Sequence, residues 1–260
     1  GALEDAKQMS GLFIKSGPIV QVKEHSGEKD ILEDRRESIT YDGPLIVMVN
    51  RFSASASEIL AAAMQDYKRA VIVGGEYTHG KGTVQAVLNL NNGPLKLLGG
   101  HLGALKVTIQ KFYRVNGSST QYKGVTPDII LPDPYSYTES REQDLEYSLP
   151  WDKVRALSYK EWDKHKLDDK RIAILSTNSK LRVKKNKHLQ LINESVEYLK
   201  KRKDETKVSL NLKNVVARDK ENEKAMERFK DDKENENLNV THFEESLKDG
   251  SNIKAGDSEQ

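Results

Sequence analysis

Between positions 44 and 90 the chain changes period four times, and each change marks an element. The apolar run 45–49, Leu45-Ile46-Val47-Met48-Val49, has the length and β-branching of a strand buried on both faces and is too short for an ordinary helix. After Ser53-Ala54-Ser55-Ala56-Ser57, apolar residues at Ile59, Leu60, Ala63 and Met64 fall on one helical face, predicting a helix over 58–67. Residues 70–73 read as a second buried strand, broken by Gly74-Gly75. Val84, Ala86, Leu88 and Leu90 alternate, as do residues 105–113, and both stretches predict strands, with Asn91-Asn92-Gly93 as a turn between them. Upstream, Leu3, Ala6, Met9, Leu12 and Phe13 predict an amphipathic helix over 2–14, and 18–23 a strand. The charged stretch 24–36, with Ser26-Gly27 as a turn signal, predicts an exposed hairpin or loop. The fold class is α/β.

The pattern changes at about Asp133, where Pro132, Pro134 and Tyr135 open a linker over 133–150 and charge then rises. Helices are predicted over 169–179, along the face marked by Leu189, Ile192, Val196 and Leu199, and over 215–229. This divides the chain into a core over 1–132, the linker, an α-helical domain over 151–230 and a polar tail over 231–260 that is expected to be disordered. Basic and acidic side chains number 42 and 40, so the net charge of +2 lacks the excess expected of a nucleic-acid binder. Cysteine is absent, which excludes disulfides and thiolate metal sites, and the six histidines show no paired metal spacing. No apolar run approaches the ~20 residues of a membrane span. Neither a metal nor an organic cofactor is expected.

The candidate chemistry lies where a hydroxyl cluster meets a helix N-terminus, a place that stabilises a forming oxyanion. Four readings compete there. Ser55 and its neighbours can be plain helix caps. The run from Gly75 to Lys81 fits the first seven positions of a phosphate-binding loop, but Gly82 stands where Ser or Thr is needed and a strand follows instead of a helix. A Ser-His-Asp triad has His79 and Asp66 as candidates. A serine nucleophile with a lysine base has Ser55 and Lys81, and it requires a lysine desolvated enough to lose its proton near neutrality.

The run Ser53-Ala54-Ser55-Ala56-Ser57-Glu58-Ile59, the Gly80-Lys81-Gly82 turn and Gly124-Val125-Thr126-Pro127-Asp128 resemble the carboxy-terminal processing, or tail-specific, serine peptidases of family S41. The resemblance implies Ser55 as nucleophile, Lys81 as general base and Gln85 as the residue orienting the lysine amine. It also implies an oxyanion hole from the N–H of Ala56 and a donor that only Gly1 could represent. If Lys81 and Gln85 share one alternating strand, their even spacing puts them on one face. Some family members carry an aspartate in the site, here Asp66. A helix from Ser55 to Asp66 would separate the two by roughly 16 Å, so Asp66 is expected to be structural, paired with Lys68, Arg69 or Arg51. Ser148-Leu149-Pro150-Trp151-Asp152 resembles a segment that follows the core in the long periplasmic members.

By this resemblance the chain is the second half of a tail-specific-protease core of the crotonase-like or Clp-protease-like kind, followed by an α-helical C-terminal domain. The PDZ domain that reads substrate tails belongs upstream of Gly1, so the chain by itself is expected to be a poorly active fragment. The implied function is a serine endopeptidase of the periplasm or cell envelope, acting on polypeptides with free C-termini, with an adaptor lipoprotein as a possible partner and neither nucleic acid nor membrane insertion. Two alternatives stay open: a non-catalytic interaction module on the same scaffold, and a nucleotide-binding protein.

Overall fold

The computed structural model describes residues 2–91, 102–164 and 167–229, with the backbone of short strands at 239–240 and 253–254. Helix α1 (Leu3–Ser10) places Glu4 and Asp5 in its first turn, where the dipole favours them. Strands β1 (Gly17–Glu24) and β2 (Lys29–Asp34) form the hairpin expected of the charged stretch. With β5 (Thr83–Asn89) and β6 (Ala104–Tyr113) they make an antiparallel sheet of order β2-β1-β6-β5. Strands β3 (Ile46–Val49), β4 (Val71–Gly74) and β7 (Ile129–Ile130) make a parallel sheet of order β3-β4-β7. Helix α2 (Ala56–Asp66) is the crossover between β3 and β4. The turn expected at 91–93 lies mostly outside the described residues.

The core gathers round α2. Consecutive residues Ala61, Ala62, Ala63 and Met64 are all buried, so the middle turn of this helix is covered on every side. Ile19, Val20 and Val22 of β1, Ile72 of β4 and Ala6 of α1 belong to the same cluster. Strand β3 departs from the expectation of burial on both faces. Val49 is buried, but Ile46 is 64% and Met48 80% exposed, because β3 is the edge of its sheet and one face is bare among the described residues. A short apolar run encodes what a strand can bury, and the neighbours decide what it does bury.

Residues 133–164 are bound to the core along their length. Asp133 accepts from Arg51 Nε at 2.8 Å, Trp151 Nε1 donates to the Ser119 carbonyl at 2.9 Å, and Trp162 N donates to the Tyr67 carbonyl at 2.8 Å. After a 3-10 turn at Glu142–Asp144, α-helices begin at α3 (Asp169–Lys185), later than the expected domain boundary at 151. Asp168 caps α3, and Asn186 ends it and caps α4 (Lys187–Asp204) through Leu189 N. The chain divides into two compact units, Gly1–Thr206 and Lys207–Gln260. Helix α5 (Leu212–Phe229) therefore falls in a different unit from α3 and α4. The tail 231–260 lies outside the described residues except for β8 (Asn239–Val240) and β9 (Ile253–Lys254), which pair antiparallel.

Candidate active site

Strand β3 delivers the chain to a turn at Asn50, and Ser55 stands at the N-cap of α2 with φ 56° and ψ −111°. A non-glycine residue so placed costs on the order of 1–3 kcal/mol, which the surroundings must supply. They do so through the backbone: Ser55 N donates to Glu58 Oε2 at 2.8 Å, and the Ser55 carbonyl accepts from Glu58 N at 2.9 Å and Ile59 N at 3.0 Å. The Ser55 hydroxyl makes no capping hydrogen bond. Glu58 does the capping, and the hydroxyl is left unspent at the positive end of the helix. Ala56 N, the first helical N–H, has no acceptor among the described residues, as an oxyanion donor requires. Gly1, the other proposed donor, lies outside them.

Glu58 has no role in the sequence pattern beyond opening the helix, and the structure puts it at the centre of the site. Its side chain is fully buried, and its oxygens collect Thr78 Oγ1 at 2.5 Å and Gly80 N at 2.6 Å on Oε1, and Ser55 N at 2.8 Å and Lys81 N at 2.9 Å on Oε2. One carboxylate thus ties the serine's backbone to the lysine's. Thr78 Oγ1 in turn accepts Val125 N at 2.7 Å, joining the Gly124-Val125 segment to the same knot. Burial pushes the Glu58 carboxyl up to about 7, and the Thr78 hydroxyl and the three backbone donors hold it below where burial alone would leave it. The signal was present: Ser55-Ala56-Ser57-Glu58 is a capping-box spacing.

Lys81 sits in the turn before β5, next to Gly80 at φ 91°. Its amine donates to Gln85 Oε1 at 3.0 Å. The expected pair therefore meets, though not through strand parity: Lys81 precedes β5, and the register shifts between Val84 and Gln85. The side chain of Lys81 is half-buried and that of Gln85 exposed, a more open setting than a desolvated base needs. The phosphate-loop reading fails on geometry, since the N–H groups of Gly80 and Lys81 already serve Glu58 and the chain continues into a strand. The triad also fails. His79 Nδ1 faces Glu142 Oε2 at 4.0 Å, while Asp66 ends α2, roughly 16 Å along the helix from Ser55. Asp66 is gripped by Arg114 Nε at 3.0 Å, Arg114 Nη2 at 2.6 Å and Asn116 Nδ2 at 2.8 Å. Its partner is thus neither Lys68, Arg69 nor Arg51. Lys68 pairs with Asp169, Arg69 serves the carbonyls of Phe13 and Tyr41, and Arg51 pairs with Asp133; Arg114, just past the end of β6, reaches the last turn of α2. No group of three or more metal-ligating side chains occurs among the described residues.

Residues 1–131 match peptidase family S41 as a family. The chain belongs to this family. Residues 135–260 match the C-terminal domain of tail-specific protease. The tail-specific protease of Haemophilus influenzae is 44% identical over 213 residues, which are 82% of this chain and 30% of that protein. The carboxyl-terminal-processing peptidase 2 of Arabidopsis thaliana chloroplasts is 34% identical over 140 residues, 54% of this chain and 25% of that one. The carboxy-terminal processing protease CtpA of Bacillus subtilis is 35% identical over 136 residues, 51% and 27%. The photosystem II D1 C-terminal processing protease is similar in structure, with a TM-score of 0.43 and 34% identity, over 50% of this chain and 31% of that one. The chain thus spans about a third or less of the length of these relatives. Its architecture is an α/β S41 core followed by a helical C-terminal part.

Proposed function

We propose that this chain carries the nucleophile and base of a serine endopeptidase that hydrolyses polypeptides by acyl transfer. Ser55 Oγ attacks the peptide carbonyl while a neutral Lys81 amine takes its proton. The N–H of Ala56 faces the developing oxyanion, Lys81 returns the proton to the leaving amine, and water then releases the acyl group by the reverse steps. Gln85 holds the amine through the contact at 3.0 Å. Substrates presented by their C-terminal tails, and a cell-envelope setting, belong to this proposal by kinship with the proteases named above. Among the described residues no helix is long and apolar enough to cross a membrane.

The observation that carries the reading is the division of labour at the head of α2, where Glu58 caps the helix and anchors the lysine turn while the strained Ser55 keeps its hydroxyl free. A fluorophosphonate tests it, because phosphonylation uses the nucleophile, the base and the Ala56 N–H without requiring that a substrate tail be read. The expected result is mass addition on Ser55 that slows at least about 100-fold in Lys81→Ala, the usual worth of a general base. Labelling at the same rate in Lys81→Ala, or on another serine, would leave Ser55 as a structural residue of an interaction module.

A further inference from the structure

Three successive N–H groups flank and include the lysine, and each ends on a side chain. Those of Gly80 and Lys81 go to Glu58, and that of Gly82 goes to Gln121 Oε1 at 2.8 Å. Gln121 is fully buried. Its amide nitrogen spends both hydrogens, on Glu142 Oε1 at 3.0 Å and the Leu149 carbonyl at 3.2 Å. Glu142 closes the circuit from the other side, with its own N–H donated to the His79 carbonyl at 2.9 Å and its Oε2 lying 4.0 Å from His79 Nδ1. Tyr122 N donates to the Gly80 carbonyl at 2.7 Å. There is no slack in this packing: a Cβ on Gly82 would fall 2.4 Å from Gln121 N.

Glu142 and Leu149 lie in the part that matches the C-terminal domain of tail-specific protease, and Gln121 and the lysine turn lie in the part that matches the S41 family. The Ser148-to-Asp152 segment is pinned beside them, with Trp151 Nε1 on the Ser119 carbonyl at 2.9 Å and Lys111 Nζ on Asp152 Oδ1 at 2.6 Å. We infer that Gln121 is a positioning residue for Lys81, and that the C-terminal domain sets the lysine turn by docking Glu142 and Leu149 on that amide. The inference rests on the Ser55–Lys81 reading for its catalytic meaning. Its structural content is separate: the segment 142–149 acts as a strut for the turn 79–82, so that loosening one loosens the other.

Hydrogen exchange followed by mass spectrometry on the full chain tests this directly, by comparing residues 79–85 with the β1–β2 hairpin at 17–34, on the other side of β6 in the same sheet. Glu142→Ala removes the acceptor, and exchange over 79–85 is expected to rise about tenfold, the usual consequence of losing one buried charged hydrogen bond. Exchange over 17–34 stays as in the wild type. Glu142→Gln keeps a carbonyl oxygen for Gln121 Nε2 and is expected to restore protection. Gln121→Glu, which sets a carboxylate oxygen against both Glu142 and the Leu149 carbonyl, is expected to behave like Glu142→Ala. A rise that is absent over 79–85, shared equally by 17–34, or present in Glu142→Gln overturns the inference. The Ser55 fluorophosphonate rate should fall with the exchange change and return with it; an unchanged rate overturns the catalytic half. If Ser55 in the wild-type chain takes no label, the peptidase reading fails and the catalytic half with it, while the exchange pattern still decides the strut.

Discussion

A carboxylate ringed by four donors is best satisfied while it is charged, since a protonated carboxyl offers one good acceptor oxygen and brings a hydrogen that no N–H can accept. Glu58 is in this position, with Thr78, Gly80, Ser55 and Lys81 around it, and yet burial lifts its carboxyl from 4.5 to about 7. The two demands give stability a definite pH dependence. Between 4.5 and 7 the folded chain keeps a proton that the unfolded chain has released. The contribution is therefore complete below about 4.5 and is lost as pH rises through about 7, by on the order of 3 kcal/mol. Glu58→Gln cannot titrate. Urea unfolding at steps from pH 4.5 to 8 should show the wild type declining more steeply than Glu58→Gln by about that amount. Parallel curves would mean that the four donors already hold the carboxylate ionised across the range.

At the scale of elements, α2 is fixed at both ends by groups far away in sequence. Its N-terminus is tied to Thr78, Gly80 and Lys81, and its C-terminus to Arg114 and Asn116 through Asp66. Asp66 and Arg114 are both largely buried, so removing one leaves the other without its counter-charge, held only by Asn116 or by Gln65, at about 3–5 kcal/mol. Asp66→Ala and Arg114→Ala should each destabilise by about that much, and the double variant by clearly less than their sum; additivity within about 0.5 kcal/mol would dissolve the pair. Folded Asp66→Ala should still take label at Ser55, because α2 holds the carboxylate about 16 Å from the hydroxyl. These ties also mark what was legible in the sequence. Period alone located α1, α2, β1 and β4 to β6 within a few residues, since each buries one face or one run against whatever neighbour it finds. Local pattern is silent about which strand lies at an edge, and so it assigns Ile46 and Met48 to a core they do not enter. It is equally silent about Arg114, 48 positions from Asp66, and about Gln121, 39 positions from Gly82, because partners brought together by topology leave no periodic trace. Glu58 differs, since its capping-box spacing to Ser55 is local and readable, and only its long-range donors were hidden.

For the molecule as a whole, the division after Thr206 makes a prediction that a single helical domain over 151–230 would not. In the first unit, α3 and α4 share the cap at Asn186, and α4 buries Val196. Helix α5 in the second unit buries no residue, and Leu212 and Val216 are exposed on it. A helix of 18 residues whose stripe at Val215, Arg218, Asn222, Ala225 and Met226 is only half-buried gains little from packing and is expected to add little to the cooperative unfolding of the first unit. The backbone between α4 and α5 is accessible, with Val208 and Leu210 both exposed. Brief trypsin treatment should therefore cut near Lys207 before any site in the described strands at 17–34, 83–89 and 104–113, and the shortened chain 1–206 should unfold at the same urea midpoint as the 260-residue chain, to within about 1 kcal/mol of free energy. Ser55 labelling should survive the cut, because Glu142 and Leu149, which brace the lysine turn through Gln121, remain in the retained part. A truncated chain that melts several kcal/mol earlier, or loses its label while still folded, would show that residues 207–260 act with the core as one cooperative body.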